Sequence, residues 1–234
     1  MPDPVLVIDL DGTILRGNSY RLWVRHLLLG PFSHLSIRER LGLRLRTIRL
    51  LASRKLLRWH HARVKGELRL LWAQAVRSDM NGAEIAILLA CLKADVRAWF
   101  KPVLERVAAG QLDAIAATAA AGEYAVPFMQ QLGFSEILAT TSAPALYQEN
   151  LGEAKAHAVA ALVQARGWEQ RPLLVLTDHR DDLPLIRMGT GLVWFGDSDA
   201  HRAIADMTPG LRAISYDRVD GTEFLARLDS TGSL

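Results

Sequence analysis

The chain has 234 residues, of which 50% are hydrophobic and 23% charged. That is enough for one sizeable α/β core with a smaller accessory domain, and it excludes a disordered class. The formal charge of +3 is small but unevenly spread: the segment from Arg38 to Arg69 is dense in arginine and lysine and is opposed only by Glu39 and Glu67, which suggests two regions with different tasks.

In chain order, Met1-Pro2-Asp3-Pro4 lacks the basic start and small-residue cleavage site of a signal peptide. Val5-Leu6-Val7-Ile8 is a short apolar run rich in β-branched residues and reads as a buried strand ending in the polar loop Asp9-Leu10-Asp11-Gly12-Thr13. From about Ser19 to Lys93 only helical patterning occurs. Ile37, Leu41, Leu45, Ile48 and Leu51 recur on one helical face, with the arginines largely off that stripe. A second helix is expected from about Trp59 to Val76, with Leu68, Leu71, Trp72 and Ala75 on one side. A break follows at Ser78–Gly82, with Asn81 as the expected N-cap and Glu84 three residues later. Cys91, the single cysteine, falls in the apolar run Ile85–Leu92 and is expected to be a buried structural thiol, in keeping with a reducing compartment. Neither that run nor Leu27–Leu29 approaches the roughly 20 residues of a membrane span, so no membrane span is expected and the expected location is cytoplasmic.

Beyond the helical stretch, strands are expected at Leu112–Thr118, Glu136–Thr140, Leu173–Asp178 and Gly191–Phe195. Helices are expected at Val96–Ala109, Tyr124–Leu132, Ala154–Gln164 and Leu183–Met188. Strands alternating with helices argue for a Rossmann-like parallel sheet wrapped on both faces, an α/β fold with an inserted all-helical domain. The expected boundaries are 1–15 and 95–234 for the core and 16–94 for the insertion.

Ligands of open parallel sheets sit outside the carboxyl ends of the strands. There the pattern delivers Asp9 and Asp11 from the first strand, Thr118 from the second and Asp178 from the fourth, with Asp182 in the same loop and Lys155 near the start of the preceding helix. Three carboxylates converging on a point demand a hard cation, and Mg²⁺ takes oxygen ligands. A carboxylate attacking phosphorus gives an acyl phosphate that water hydrolyses, with a second carboxyl moving the proton and Lys and Thr binding the phosphoryl oxygens.

These residues resemble the motifs of the haloacid dehalogenase (HAD) superfamily, in the phosphoserine phosphatase-like subclass whose helical cap lies between the first and second motifs. Asp9-Leu10-Asp11-Gly12-Thr13 resembles motif one, Thr118 motif two, Lys155 in Gly152-Glu153-Ala154-Lys155 motif three, and Asp178-His179-Arg180-Asp181-Asp182 motif four. The resemblance implies a Mg²⁺-dependent phosphatase acting on a small phosphorylated metabolite through an aspartyl-phosphate. Asp9 would be the nucleophile and Asp11 the acid/base. The ion would be held by the Asp9 carboxylate, the Asp11 carbonyl and Asp178, with Asp182 direct or through water. Gly12, Asn18 and Ala119 are then expected on the substrate side. Thr177 and His179 depart from the family's usual Gly-Asp start and small following residue, and Asn18 replaces the Glu that grips an ammonium in phosphoserine phosphatases, which disfavours phosphoserine.

His60-His61 reads as part of a polar helical face, because adjacent residues on a helix face different ways, and His179 as a loop residue outside an oxygen-only site; Asp181 has no assigned role. Trp23, Trp59, Trp72 and Trp99 read as core anchors. The basic stretch has three readings: a solvated face, a field that draws anionic substrates, or a contact with anionic lipid or nucleic acid. No nucleic-acid partner is expected, and no oligomeric state follows from the sequence. The alternatives are a phosphotransferase or phosphomutase on the same scaffold, or a non-catalytic module whose basic helices bind nucleic acid or anionic lipid.

Overall fold

The computed structural model describes residues 3–56, 61–141 and 149–231; Trp59 and His60 lie outside them. Six strands, β1 (Val5–Ile8), β2 (Ala114–Ala121), β3 (Glu136–Thr140), β4 (Leu173–Thr177), β5 (Gly191–Trp194) and β6 (Arg212–Ser215), form one parallel sheet in the order β3-β2-β1-β4-β5-β6. Every pairing within this sheet is parallel. Alternation along the strands divides the core. Leu6, Ile8, Ala114, Ala116, Leu174, Leu176 and Val193 face one side. Val5, Val7, Ile115, Ala117, Leu173, Val175, Leu192 and Trp194 face the other, so both faces must be covered.

On the first face pack α5 (Lys101–Ala108), α6 (Gly122–Gln131) and α10 (Gly221–Thr231); on the second pack α7 (Glu153–Ala165), α8 (Leu183–Ile186) and α9 (Ser198–Met207). The sheet order reverses at β1, whose neighbours are β2 and β4, and that reversal opens a crevice at the carboxyl ends of those strands. Between β1 and β2 come α1 (Ser19–Leu29), α2 (Ile37–Leu56), α3 (His61–Val76) and α4 (Ala83–Ala94). Their buried residues, Trp23, Leu27, Leu68, Leu71, Trp72, Leu88 and Leu92 among them, join the same apolar cluster as Ile8, Ile14 and Tyr124. No helix among the described residues is long and apolar enough to cross a membrane.

Four local expectations change. β2 continues through Ala121, so Thr118 lies inside the strand, just before a register irregularity between Ala117 and Ala121. The α4 N-terminus is capped by the Asp79 carboxylate, which accepts from the Ala83 N–H (3.1 Å) and the Glu84 N–H (2.8 Å), because Gly82 in the left-handed region turns the chain into the helix. Cys91 is exposed, since α4 turns Leu88, Leu89 and Leu92 inward. In α2 the inward residues are Leu43, Thr47 and Ser53, whereas Ile37, Leu41, Leu45 and Ile48 face solvent.

Candidate active site

The loop after β1 is a tight turn, Leu10–Ile14, in which Asp11 is extended and Gly12 is left-handed (φ 73°). A side chain at Gly12 would be strained there, and its Cβ would lie 1.9 Å from Asp178 Oδ2. The bare backbone is what lets the loops after β1 and β4 meet. Arg97 clamps the turn from behind: its Nε donates to Thr13 O (3.0 Å) and a terminal nitrogen to Gly12 O (2.9 Å). The guanidinium lies over the Tyr216 ring, 5.1 Å from its centroid.

Lys155 is buried and bridges two loops. Its Nζ donates to Asp9 Oδ1 at 2.8 Å and to Asp182 Oδ1 and Oδ2 at 2.9 Å. The Thr177 hydroxyl donates to Asp182 Oδ2 at 2.5 Å, which gives the residue that departs from the family pattern a definite contact. Both Asp182 oxygens are thereby engaged, and its side chain does not cap α8. Among the described residues no three His, Cys, Asp or Glu side chains gather closely enough to hold a metal ion. Asp9, Asp11, Asp178 and Asp182 nevertheless share one cavity wall, with Lys155 standing between Asp9 and Asp182.

Burial makes charge expensive at this site. It pushes the Asp9 carboxyl up to about 7, against the pull of Lys155, and the Asp178 carboxyl up to about 6. Burial would lower the Lys155 ammonium, but Asp9 and Asp182 outweigh it and the group is pushed up to about 12. Asp11 is raised by burial and eased back by Ser19 and Lys65; the Ser19 N–H, in the first turn of α1, donates to Asp11 Oδ1 at 2.6 Å. The Ser19 hydroxyl in turn meets the buried Tyr124 hydroxyl at 3.0 Å.

Above these groups lies a cavity of about 880 Å³. Asp9, Asp11, Gly12, Asn18, Ala119, Lys155, Asp178 and Asp182 all line it, as do His179 and Asp181. Thr118 is buried outside the wall, and its hydroxyl accepts from the Ala120 N–H at 3.1 Å. Asn18 is the N-cap of α1, accepting from the Arg21 N–H at 3.2 Å. The exposed His179 caps the turn at Arg180–Asp182 by accepting from the Asp181 N–H. From the helices between β1 and β2 the cavity receives Arg54, Lys65 and Arg69; Lys65 is paired with Glu149 and Arg69 with Glu123.

Two residues that sequence reasoning passed over position the site. Arg97 holds the loop after β1, and the buried Asn150 donates from Nδ2 to Thr118 O (3.1 Å) and Leu138 O (2.9 Å), tying β2 to β3. Both act on backbone carbonyls remote in sequence, so no motif announces them.

The model of the haloacid dehalogenase-like hydrolase family matches residues 6–187. The chain belongs to that family. All the loops described above, and all four helices between β1 and β2, fall within the HAD match. Sequence comparison with curated proteins finds no match. Among solved structures, a protein of unknown function from Bordetella pertussis Tohama I is similar with a TM-score of 0.65 at 18% identity, covering 92% of this chain and 99% of that one. A HAD family hydrolase from Salmonella enterica serovar Typhi gives 0.56 at 13%, covering 98% of this chain and 73% of that one. A substrate-bound phosphoserine phosphatase gives 0.53 at 8%, covering 97% of each chain. At these identities the likeness is one of fold.

Proposed function

We propose that this HAD hydrolase is a Mg²⁺-dependent phosphatase that cleaves a small phosphomonoester through an aspartyl-phosphate on Asp9. One observation carries the reading: a buried Lys155 grips Asp9 and Asp182 at the floor of a large cavity, with Asp178 packed against Gly12 beside them. A carboxylate whose charge is opposed by burial is poised to attack once a substrate and cation replace the lost solvation.

The Asp9 carboxylate attacks phosphorus, the ester P–O bond breaks, and Asp11 gives its proton to the departing alkoxide. Asp11 then takes a proton from water, whose oxygen attacks the Asp9 phosphoryl group and frees phosphate. Lys155 neutralises charge on the transferring group, with Asp182 and Thr177 holding it in place. Gly12 and Ala119 line the wall on the phosphoryl side, and Thr118 stands behind it, its hydroxyl accepting from the Ala120 N–H and so bracing the end of β2. Asp9, Asp178 and the Asp11 carbonyl suit Mg²⁺, which binds through one or two carboxylates plus substrate phosphate rather than an all-protein cage. When bound, the ion offsets repulsion between Asp9 and the phosphoryl oxygens.

Residues 16–94 act as a helical cap over the core formed by 1–15 and 95–234. The cap contributes Arg16, Arg21, Arg54, Lys65 and Arg69 to the cavity wall; Arg16, Lys65 and Arg69 pair with Asp95, Glu149 and Glu123, and the charge of Arg21 and Arg54 favours a leaving group that bears its own negative charge. Neutral Asn18 supplies no partner for an ammonium, so phosphoserine is disfavoured. The test is a Mg²⁺-dependent screen of phosphorylated carboxylic acids, sugars, amino-alcohols and nucleotides, reading free phosphate. The Asp9→Asn variant should lose at least about 10⁴-fold in turnover with an unchanged fold. Activity retained in that variant would remove the mechanism, and phosphate delivered to an alcohol instead of water would make the chain a phosphotransferase.

A further inference from the structure

Helix α2 has two apolar faces where a surface helix needs one. Leu43 and Thr47 are buried, and Leu50 and Leu51 pack against the core. Outward, Ile37 is 76% exposed, Leu41 56%, Leu45 58% and Ile48 54%. At 100° per residue these four fall within an arc of about 80°, bordered by Arg44 on one side and by Arg38 and Arg49 on the other. The helix carries seven of the chain's 28 basic residues and only one of its 25 acidic ones. That one, Glu39, is engaged at the helix start, where it accepts from the Ser36 N–H (2.8 Å) and its own N–H donates to the Ser36 hydroxyl (3.3 Å).

We propose that the outer face of α2 docks on an anionic lipid bilayer, with Ile37, Leu41, Leu45 and Ile48 entering the headgroup boundary and the flanking arginines meeting lipid phosphates. The physics is that of an amphipathic helix lying in the interface plane: apolar side chains gain by leaving water, and a basic border adds attraction to anionic headgroups. Charge selects this occupant over the others. A two-fold contact between copies through α2 would set arginine against arginine. Nucleic acid would use the arginines but gains nothing from an aliphatic row without aromatic side chains. The face turns away from the buried side of α2, so docking leaves the catalytic cavity's wall undisturbed, and the proposal stands or falls apart from the phosphatase reading.

The test is sedimentation of the full chain with vesicles of phosphatidylcholine alone and of phosphatidylcholine mixed with phosphatidylglycerol in equal parts. The chain should bind only the mixed vesicles, and rising salt should weaken the binding. Replacing the row together (Ile37→Gln, Leu41→Gln, Leu45→Gln, Ile48→Gln) keeps good helix formers and should cut partitioning by about tenfold or more. Arg38→Gln, Arg44→Gln and Arg49→Gln together should abolish the preference for mixed vesicles. Both variants should melt and turn over soluble substrate like the parent; Leu45→Glu alone serves if the fourfold variant does not fold. The proposal is overturned by a parent chain that ignores the mixed vesicles, or by a row variant that binds them as well as the parent. It is also overturned by a parent that is dimeric in light scattering while the row variant is monomeric, or by parent binding to duplex DNA that the row variant retains in full.

Discussion

The strand-end loops and the helical insertion are held together by different means. At the strand ends the polar groups are over-determined. Lys155 meets both Asp9 and Asp182, Asp182 also receives Thr177, Arg97 grips two consecutive carbonyls and Asn150 joins two strands. The insertion is instead organised around aromatic packing. Trp72 lies edge-on to Trp23, His26 and Phe32, with ring centroids 6.2, 5.8 and 6.3 Å away. Trp23 in turn packs on Tyr124 of the core at 5.5 Å. A polar network fixes atoms to fractions of an ångström and suits reaction chemistry. Aromatic packing fixes a body against its neighbour while leaving its rim free to vary, which suits the choice of substrate.

The sharpest way to break that contrast is Lys155→Met. It leaves Asp9 and Asp182 facing each other without a cation, so turnover should fall by at least about 10³-fold and stability by about 3–5 kcal/mol, read by phosphate release and urea unfolding. A variant of normal stability would show that the network is not what holds the floor. On the other side, Trp72→Ala should cost about 3–5 kcal/mol, in a single unfolding transition because the insertion and core share one apolar cluster. Two separated transitions would make the insertion an independent folding unit.

Smaller effects follow from protons. With Asp9 raised to about 7 and Asp178 to about 6 from an ordinary value of 3.8, the folded chain holds more protons than the unfolded one between about pH 4 and pH 7. These groups therefore lower stability as pH climbs through that window. At the proposed site Mg²⁺ would bind the deprotonated carboxylates, so it should raise Tm more at about pH 8 than at about pH 5. An equal gain at both would exclude Asp9 and Asp178 as its ligands. Smallest of all, Asp79→Ala should cost about 1 kcal/mol through the lost α4 cap and leave turnover untouched; a change in turnover would tie α4 to the chemistry.

Much of the sheet was legible because parallel strands buried on both faces are continuous apolar runs. β1 and β3 run as read, and β4 and β5 end one residue short of their expected limits. β6 was missed because Arg212–Ser215 is short, mixed in sequence and partly exposed, with no apolar run to mark it. Helices α9 and α10 flank it in the same unread stretch. In α2 periodicity identified a stripe but not its direction, since Ile37 and Leu41 look no different whether they meet core or solvent. Of the residues singled out for chemistry, Asp9, Asp11, Lys155, Asp178 and Asp182 come together around one cavity. Strand-end position pointed to Asp9, Asp11 and Asp178, but it also pointed to Thr118, which lies inside β2 and off the cavity wall; Lys155 was reached only through its register with the other motifs. Neither signal warned that Lys155 would sit between two of the carboxylates, because side-chain reach across 146 residues of sequence has no local signature.

The way the insertion joins the core has one more consequence. Its outgoing and returning strands are stitched together: Leu15 pairs with Val96, the Arg16 N–H donates to Asp95 O at 3.0 Å, and the Gly17 N–H donates to the Asp95 carboxylate at 2.8 Å. Two residues past Asp95 comes Arg97, the side chain that grips Gly12 and Thr13. The lever and the bolt of this doorway are therefore neighbours on one short piece of chain. Were the four helices to shift relative to the sheet, the displacement would reach the backbone that carries Asp11 through this junction.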